Sequence, residues 1–272
     1  FESFLANAAQ GEPLECAVNP RLGRERETAE PLKNGSGRVV AIIGAGPAGL
    51  SAAEILSLRG FKSIVFEKNA FVGGQLQLAN KPPKKEKINW CFTDLYHAAL
   101  KNGAEIRFNA EATLASIKVL EPFAVIVATG GNAITPPIEG VKQSHVCTVT
   151  EILDGTVSLK GKRVAVIGSG MTGLETAEKL AEDGNRILIV EMMDQIAPGA
   201  HSQHLDDVLP RLKAYAADFI ISHKLVKITA DSIILENTVS GRHREEKADH
   251  VVLSVGVRSN DNLTKELEPH FA

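Results

Sequence analysis

The chain contains 272 residues, of which 44% are hydrophobic and 23% are charged, and its formal net charge at pH 7 is −3. This balance argues against a nucleic acid or an anionic membrane as partner, because either would favour a basic face. No apolar run approaches the roughly 20 residues that span a bilayer, and no signal peptide is visible. Three scattered cysteines predict no disulfide scaffold and favour a reducing compartment, so a cytoplasmic protein of two domains is expected.

Residues 1–36 are predicted to form a connector that runs over a surface. The first ten residues can form a short helix, but residues 11–37 are rich in Pro, Gly, Arg and Glu and show no sustained apolar period. Because the chain begins at Phe1 rather than Met, it is expected to be a fragment of a longer protein.

The first dinucleotide-binding signature follows this connector. Residues 39–43 form an apolar run that predicts a buried parallel strand, and a glycine turn leads from it into a helix. The first glycine permits the bend, the second lets the backbone approach a pyrophosphate, and the third lets helix and strand pack closely. A second strand over residues 63–66 delivers a carboxylate that can accept hydrogen bonds from ribose hydroxyls. The residues predicted to bind this cofactor are Gly44, Gly46, Pro47, Ala48, Gly49, Glu67 and Lys68.

A loop and a helix are predicted after this unit. Gly73-Gly74-Gln75 precedes a basic, proline-broken stretch over residues 81–87, whose lysines are interpreted as a solvated loop rather than a phosphate site. Residues 88–101 are predicted to form a helix with Cys91 on its buried face.

Two strands that end in glycine mark the places where the chain is expected to cross between domains. After short strands predicted near residues 105–108 and 112–118, a buried strand over residues 123–128 ends in Thr129-Gly130-Gly131. The same strand-to-glycine pattern returns over residues 249–256. Each half of the chain is therefore expected to have an apolar strand that ends in glycine as its last strand.

A complete second copy of the signature begins at residue 164. Its strand leads to a glycine turn, a helix is predicted over residues 172–182, and a second strand over residues 186–190 ends at an acid. In both copies the acid follows the first glycine by 23 residues, and the copies are offset by 124 residues. A lone glycine motif would be weak support, but here every part recurs in the same order. The residues predicted to bind the second cofactor are Gly168, Gly170, Met171, Thr172, Gly173, Glu175 and Glu191.

The remainder of the second half is predicted to mix a helix with strands. The helix is expected over residues 204–217, with Pro210 inside it, and residues 241–247 are expected to form an exposed charged turn. Strands are predicted between them, near residues 219–222, 226–229 and 232–235.

Neither a thiol relay at Cys91 and Cys147 nor a metal site at residues 201–207 is predicted. Cys91 and Cys147 do not form a Cys-x-x-Cys pair, so disulfide-exchange chemistry lacks its residues. A polar helix start is interpreted as solvated rather than metal-binding, and it contains His201, His204, Asp206 and Asp207. No catalytic residue is predicted in the chain.

These elements predict an α/β fold of two Rossmann-like, three-layer dinucleotide-binding domains, with the second inserted into the first. The first domain is expected to comprise residues 37–134 and 248–272, and the second residues 135–247. The alternation of strands and helices gives the parallel sheets, and the two glycine-ended strands give the boundaries.

The order of these motifs resembles that of the two-dinucleotide-binding-domain flavoproteins. The segments that carry the resemblance are 44–49, Glu67, 73–75, 128–131, 168–175 and Gly256. Upstream, Cys16-Ala17-Val18-Asn19-Pro20-Arg21-Leu22-Gly23-Arg24-Glu25 resembles a segment of the 2,4-dienoyl-CoA reductase, enoate reductase and trimethylamine dehydrogenase group. In that group an FMN barrel and a [4Fe–4S] cluster precede this pair of domains, the first site takes FAD and the inserted site takes a nicotinamide cofactor.

The resemblance implies a role for each matching residue. The first glycine turn would hold the FAD pyrophosphate, Glu67 the adenosine ribose, and Gly74 and Gln75 would approach the flavin. The second turn would hold the pyrophosphate of the nicotinamide cofactor. Cofactor contacts are also expected at the crossings, at Ala128, Thr129, Gly130 and Gly256.

Cys16 matches the last thiolate ligand of the [4Fe–4S] cluster, whose other ligands would lie upstream. In the group about a dozen residues separate the third and fourth ligands, yet Ser3 and Phe4 occupy the matching places here. Either the spacing is longer in this chain or the ligand has been lost.

Two acids of the second unit bear on the nicotinamide cofactor. Glu175 matches an acid that faces the nicotinamide end in related reductases, and it can equally be a first-turn carboxylate favoured by the helix dipole. Glu191 can accept hydrogen bonds from both ribose hydroxyls but repels a 2′-phosphate, and the residues after it supply no arginine. NADH is therefore expected to be preferred over NADPH.

The resemblance implies an NADH-dependent flavin oxidoreductase module. Electrons would pass from NADH through FAD and the cluster to an FMN domain outside this chain, which reduces enoate- or enoyl-type double bonds. The partners would be a nicotinamide dinucleotide and the barrel and cluster region of the same polypeptide. The group's closing Gly-Asp strand and helix are not reached before Ala272, so FAD, or ADP in its place, is expected to be held weakly.

The alternative is a nucleotide-binding regulatory or structural domain without redox chemistry of its own. The trimethylamine dehydrogenase branch has a corresponding site that resembles one holding ADP. The complete second glycine turn with Glu175 and Glu191 favours the redox interpretation, because a purely structural domain does not need them.

Overall fold

Two units make up the fold, and the second interrupts the sequence of the first. A computed structural model describes residues 2–29 and 31–271. The first unit comprises Phe1–Asn80, Lys87–Gly131 and Ser259–Ala272, and the second comprises Lys81–Glu86 and Asn132–Arg258. Among the helices of the described residues, none has the length and apolar character required to cross a bilayer.

The elements follow the chain from one unit into the other and back. Up to the first crossing they are α1 (Glu2–Gln10), α2 (Glu25–Thr28), β1 (Val39–Ile43), α3 (Pro47–Leu58), β2 (Lys62–Phe66), α4 (Leu76–Ala79), α5 (Ile88–Lys101), β3 (Glu105–Arg107), α6 (Leu114–Lys118), β4 (Ala124–Val127) and β5 (Gly131–Ala133). After it they are β6 (Val146–Thr148), α7 (Val149–Leu153), β7 (Arg163–Ile167), α8 (Met171–Glu182), β8 (Arg186–Val190), α9 (Ser202–Ala214), β9 (Asp218–Ile220), β10 (His223–Ile228), β11 (Ser232–Asn237), β12 (His243–Lys247), β13 (His250–Leu253), β14 (Val257–Ser259) and α10 (Asn262–Phe271).

The first unit is built on a parallel sheet with strand order β3-β2-β1-β4. Because side chains alternate across a strand, its apolar runs supply both faces. Val40 and Ile42 pack on one face with residues of α3 and α5, whereas Ala41 and Ile43 pack on the other with Ile117 of α6 and Leu267 of α10. The unit therefore has three layers, with helices on both faces of the sheet.

The second unit repeats this sheet and covers it differently. Its five parallel strands have the order β6-β13-β7-β8-β9. One face packs against α7, α8 and α9, and the other packs against the antiparallel sheet β10-β11-β12. The order β9-β8-β7-β13 matches β3-β2-β1-β4, and the register of the first two strands is also the same, since Val39 pairs with Lys62 and Arg163 with Arg186. The predicted fold class of two three-layer, Rossmann-like domains is confirmed.

The boundaries of the second unit differ from those expected. The return crossing was expected over residues 248–257, with the first domain resuming at residue 248, but β13 lies in the second unit's sheet, where Val251 pairs with both Val146 and Ala165, and the second unit ends at Arg258. The physical reason is that β13 occupies the place that β4 has in the first sheet, so the chain can leave only after it. Residues 81–86, predicted within the first domain, group with the second unit.

Two local predictions are wrong for identifiable reasons. Residues 112–118 were predicted as a strand, but Thr113 caps α6: its Oγ1 accepts from the Ser116 N–H at 3.2 Å, and Ser116 Oγ accepts from the Thr113 N–H at 2.9 Å. Residues 241–247 were predicted as a charged turn, but their greater part is β12, an exposed strand paired with β11. Local side-chain hydrogen bonds decide the first case and a distant partner strand decides the second.

The helix predicted over residues 88–101 is confirmed as α5, and the face expected to be buried, Ile88, Cys91, Leu95, Ala98 and Ala99, is the one that packs inward through Leu95 and Ala99. Phe92 and Ala99 are its buried residues, whereas Cys91 is only half-buried. Burial, together with the charge of Asp94, raises the pKa of the Cys91 thiol. The helix predicted over residues 204–217 is observed as α9, over Ser202–Ala214, with Pro210 inside it.

His250, the first residue of β13, makes the stability of the second unit depend on pH. Burial lowers the pKa of its imidazole, and the neighbouring charges of His145 and Lys162 lower it further, against an opposing effect of Asp249. The unfolded chain therefore binds a proton more readily than the folded one. Stability is retained above about pH 6.5, the ordinary histidine value, and falls as the pH drops through that value, by about 1.4 kcal/mol for each unit of pKa difference.

We expect His250→Gln to reduce the loss of thermal stability between pH 7.5 and 5.5, the range that brackets this titration at roughly one unit to either side. Thermal unfolding followed by circular dichroism at a series of pH values measures it. His270→Gln, at an exposed position of α10, is the matched control and should retain the pH dependence of the natural chain. An unchanged slope in His250→Gln would contradict the assignment.

Candidate dinucleotide-binding sites

The first glycine of each turn is required by the protein itself. Gly44 and Gly168 have φ of +102° and +100°, a region that favours glycine. A Cβ at Gly44 would lie 2.5 Å from the Ala128 carbonyl oxygen, and one at Gly168 would lie 2.2 Å from that of Ser254. Each turn is therefore pressed against the end of the fourth strand, β4 or β13. This contact gives a physical role to Ala128, one of the predicted residues.

The third glycine of each turn lets the helix approach the strand. A Cβ at Gly49 would lie 1.9 Å from the Gly44 carbonyl oxygen, and one at Gly173 would lie 2.2 Å from that of Gly168. Both distances are far below a normal contact, so α3 and α8 can begin where they do only with glycine at these positions.

The second glycine of each turn is not explained by the protein. Gly46 and Gly170 have ordinary φ values of −73° and −54°. Among the described residues, the nearest neighbour of a Cβ at Gly46 would be the Gly74 Cα at 3.9 Å, and a Cβ at Gly170 would meet nothing within 4 Å. The backbone and the packing would accept a side chain at both positions. An open place at the N-terminus of a helix is what the pyrophosphate of a dinucleotide requires, so both turns fit such a group.

The acid at the end of the second strand is fixed in the same way in both units. Glu67 Oε2 accepts from the Ala45 N–H at 2.9 Å, and its Oε1 accepts from the Asn69 N–H at 2.8 Å. Glu191 Oε2 accepts from the Ser169 N–H at 2.9 Å, and its Oε1 accepts from the Met193 N–H at 2.9 Å. Both acids are 6% exposed. Each carboxylate thus joins its own glycine turn to the end of the neighbouring strand, and its role toward a ribose stays a prediction.

Ser169 is a residue that the sequence interpretation missed. Ser169 is fully buried. Its hydroxyl donates to Glu191 Oε2 at 2.7 Å and accepts from the Ala197 N–H at 2.8 Å. Burial acts to raise the pKa of Glu191, but hydrogen bonds from Met193 and from Ser169 outweigh it, and the pKa lies below its ordinary value. Glu191 is therefore ionised at neutral pH. The available signal was the serine between the first two glycines of the turn, where the first unit has alanine.

We expect Ser169→Ala to lower the free energy of unfolding by about 1–3 kcal/mol, because it leaves the buried Ala197 N–H without its acceptor. Chemical denaturation of the natural chain and the variant measures the difference. Ser158→Ala, at an exposed serine of the same unit, is the matched control and should change stability by less than about 0.5 kcal/mol. Equal effects of the two substitutions would remove the role assigned to the hydroxyl.

The other predicted residues of the first unit surround its glycine turn. A Cβ at Gly74 would lie 3.1 Å from the Gly46 Cα, so the loop at residues 73–75 passes next to the open glycine. Gln75 Nε2 donates to the Gly131 carbonyl at 2.7 Å, and Thr129 Oγ1 donates to the Asn260 carbonyl at 2.6 Å. The structure thus gathers these residues at one end of the sheet. Pro47, Ala48 and Lys68 are exposed around the same turn.

The remaining predicted residues of the second unit lie at the start of α8 and after β13. Gly170 is the N-cap of α8, Met171 and Thr172 form its first turn, and Met171 packs against the core. Gly256, with φ of +101°, accepts from the Ile134 N–H at 3.0 Å. Gly130, its counterpart in the first unit, accepts from the Asn260 N–H at 2.9 Å.

Glu175 forms an ion pair that neither sequence interpretation included. Lys85 Nζ lies 2.6 Å from Glu175 Oε1, and the two side chains are 36% and 17% exposed. The interpretation of the basic stretch as a solvated loop is therefore wrong for Lys85. Because α8 begins at Met171, Glu175 lies beyond its first turn, so the interpretation of Glu175 as a first-turn carboxylate is wrong. The ion pair with Lys85 holds its carboxylate there.

The cysteines show three different environments. Cys16 is partly exposed in the connector, and hydrogen bonds from the backbone of Asn19 and Val18 lower the pKa of its thiol. Cys147 is buried, and burial raises the pKa of its thiol to about 12. Within the described residues no three His, Cys, Asp or Glu side chains are arranged to hold a metal ion. The cluster-ligand role of Cys16 stays a prediction.

Two glycine turns, each with an open second glycine and a fixed acid, define a class of protein that binds two dinucleotides. A family model described as pyridine nucleotide-disulphide oxidoreductase matches residues 38–269, and the chain belongs to this family. It is accordingly an NAD(P)H-dependent flavin oxidoreductase domain.

The chain is 35% identical over 247 residues to the bilirubin reductase of Mediterraneibacter gnavus (strain CC55_001C), covering 91% of this chain and 38% of that protein. It is 36% identical over 265 residues to the NADH oxidase of Thermoanaerobacter brockii, covering 94% and 40%. The solved structure of 2-naphthoyl-CoA reductase in complex with 2-naphthoyl-CoA superposes with a TM-score of 0.90 at 27% identity, covering 98% and 40%. The chain thus spans about two-fifths of the length of these relatives, and the resemblance stated from the motifs is confirmed.

Proposed function

We propose that the chain is the NADH-accepting module of a longer flavoprotein, in which electrons pass from NADH through FAD and a [4Fe–4S] cluster to an FMN domain that reduces enoate- or enoyl-type double bonds. The observation that carries the proposal is the pair of open glycines, Gly46 and Gly170, each beside a turn-bound acid. The similarity to a bilirubin reductase, an NADH oxidase and a 2-naphthoyl-CoA reductase supports the reaction class. The free cysteines favour a cytoplasmic setting.

Each unit has a distinct task in this proposal. In the first unit the turn at Gly46 and the carboxylate of Glu67 bind and orient the ADP half of FAD. In the second unit the turn at Gly170 and the carboxylate of Glu191 do the same for NADH. When bound, FAD supplies the acceptor for the hydride, and the protein supplies position and electrostatics.

Glu175 and Lys85 are assigned to positioning. Their ion pair fixes the partly buried carboxylate of Glu175, the fifth residue of α8. The N-terminal end of this helix is the end that would face the dinucleotide. Removing Lys85 would leave that carboxylate without its charge partner, and removing Glu175 would release the segment 81–86.

The experiment is anaerobic addition of NADH to the full-length protein that contains this chain, with the visible absorbance of the flavin as readout. The proposal expects the flavin to bleach within the time of turnover. Bound ADP or unbleached flavin at this site would instead favour the nucleotide-binding regulatory domain and overturn the proposal. Glu175→Gln should slow bleaching at saturating NADH, whereas Glu182→Gln, at an exposed position of α8, should leave the rate unchanged.

A further inference from the structure

A basic cleft lies at the end of the second unit that the proposed function does not use. Its volume is about 400 Å³, and its charged lining residues are Arg163, Arg186, Asp218, Arg244, Glu246 and Lys247. Arg163 and Arg186 begin β7 and β8, whereas the glycine turn follows the opposite end of β7. Five residues of strand, about 16 Å at 3.3 Å each, therefore separate the cleft from the dinucleotide site.

The two arginines are placed side by side by the register of the sheet. Arg163 pairs with Arg186 in the parallel ladder, and neighbouring strands are about 4.8 Å apart. The alternation of the strands puts both side chains on the face of Ala165 and Leu188, which the antiparallel sheet covers. Like charges in neighbouring positions of a ladder are destabilising, although solvent reduces the effect here because both arginines are exposed.

Two acids, Asp218 and Glu246, line the same cleft, but neither forms an ion pair with Arg163 or Arg186. Arg244 is occupied by Glu246, and Lys247 lies 2.7 Å from Asp231. By contrast, in the described part of the chain the guanidinium groups of Arg163 and Arg186 have no hydrogen bond or ion pair with another side chain. The positive charge of Arg163 also acts on Lys247. The hydrogen bond to Asp231 raises the pKa of Lys247, and the charge of Arg163 opposes this rise.

We propose that this cleft binds a small organic anion through a phosphate or carboxylate group held between Arg163 and Arg186. Two adjacent guanidinium forks match the geometry of such groups and form charge-assisted hydrogen bonds with them. The volume lies within the range of small-molecule sites, roughly 300–1,000 Å³, and exceeds what a bare ion fills. A concave lining of this size favours a small molecule over the flat acidic surface of another protein. Binding would relieve the repulsion between β7 and β8, the strands that lead to the second glycine turn and to Glu191.

The test is thermal unfolding of the chain in the absence of nucleotide, at constant ionic strength set with sodium chloride. Inorganic phosphate and citrate are the probes. We expect at least one of them to raise the Tm by several degrees in a saturable manner, and the one that acts identifies the group as phosphate or carboxylate. Arg163→Gln and Arg186→Gln should each abolish the rise, and in chloride alone each variant should be at least as stable as the natural chain, because the repulsion is gone.

Arg242→Gln is the matched control, since Arg242 is an exposed arginine of the same unit outside the cleft, and it should retain the full rise. A rise that persists in Arg163→Gln and Arg186→Gln would place the anion elsewhere, for example on a glycine turn, and overturn the proposal. Absence of any rise with either probe would overturn it as well. Neither result bears on flavin bleaching by NADH, so the proposed function is tested separately.

Discussion

Gly170→Ala is expected to weaken NADH binding by about 100-fold while the second unit stays folded. The φ of −54° suits alanine and no described atom lies within 4 Å of the added carbon, so the chain itself has no reason to resist the change. The added methyl group would stand where the pyrophosphate approaches, and the loss of one hydrogen bond to a charged phosphate, about 1.5–3 kcal/mol, amounts to roughly a 100-fold loss of affinity. Titration of NADH followed by fluorescence, with the Tm of each variant, measures both expectations.

Adding the same carbon at Gly173 is expected to affect stability, in contrast to adding it at Gly170. At Gly173 the Cβ would lie 2.2 Å from the Gly168 carbonyl oxygen, so α8 must move away from its strand. We expect Gly173→Ala to lower the stability by about 1–3 kcal/mol, as overpacked cores do. Gly46→Ala, in the first unit, should preserve NADH binding. Should Gly170→Ala bind NADH as the natural chain does, the second turn would not be a pyrophosphate site.

Glu191→Gln is expected to reduce the preference for NADH over NADPH by about tenfold. Hydrogen bonds from Met193 and Ser169 keep the pKa of Glu191 low, so the natural carboxylate is charged at neutral pH and repels a 2′-phosphate. At a few ångströms this repulsion amounts to about 1–4 kcal/mol, and an amide removes it. Glutamine is preferred to alanine here because it retains an acceptor for the buried donors of the turn. The ratio of kcat/KM for the two cofactors in the full-length protein measures the change.

The matching acid of the first unit is the control. Glu67 is held by the same pattern of hydrogen bonds, so Glu67→Gln disturbs its turn to a similar degree but should leave the NADH to NADPH ratio as it is. Adding Met192→Arg to Glu191→Gln should shift the preference further toward NADPH, because Met192 is 56% exposed next to the acid and an arginine there can pair with the phosphate. If the ratio of kcat/KM for NADH over NADPH is unchanged in Glu191→Gln, then Glu191 does not determine the choice of cofactor.

The features predicted well from sequence are those that depend on nearby residues. The glycine turns, the acids that follow them and the helices α3, α5 and α8 are each specified within about 25 residues, so their spacing alone indicates them. The spacing of 23 residues also equals the separation of paired residues in the two sheets, since Val39 pairs with Lys62 in β1 and β2, and Arg163 with Arg186 in β7 and β8. The shared strand order of the two sheets follows from this repetition.

The features predicted poorly depend on partners that are distant in sequence. β12 is charged and exposed, and only its pairing with β11 makes it a strand. β13 was assigned to the wrong unit because its neighbours, β6 and β7, are chosen by the sheet and not by its own residues. Ser169 and Lys85 were missed for the same reason, since the value of a hydroxyl or an ammonium group depends on which carboxylate the fold brings to it.

The ends of the inserted unit lie side by side, as the hydrogen bond from the Ile134 N–H to the Gly256 carbonyl requires. A disordered insertion of more than a hundred residues between β4 and α10 would cost on the order of 4 kcal/mol in loop-closure entropy. Once the second unit is folded, the same connection behaves as a short tether. Folding of the insert therefore removes most of the penalty that its own length imposes on the assembly of β4 with α10.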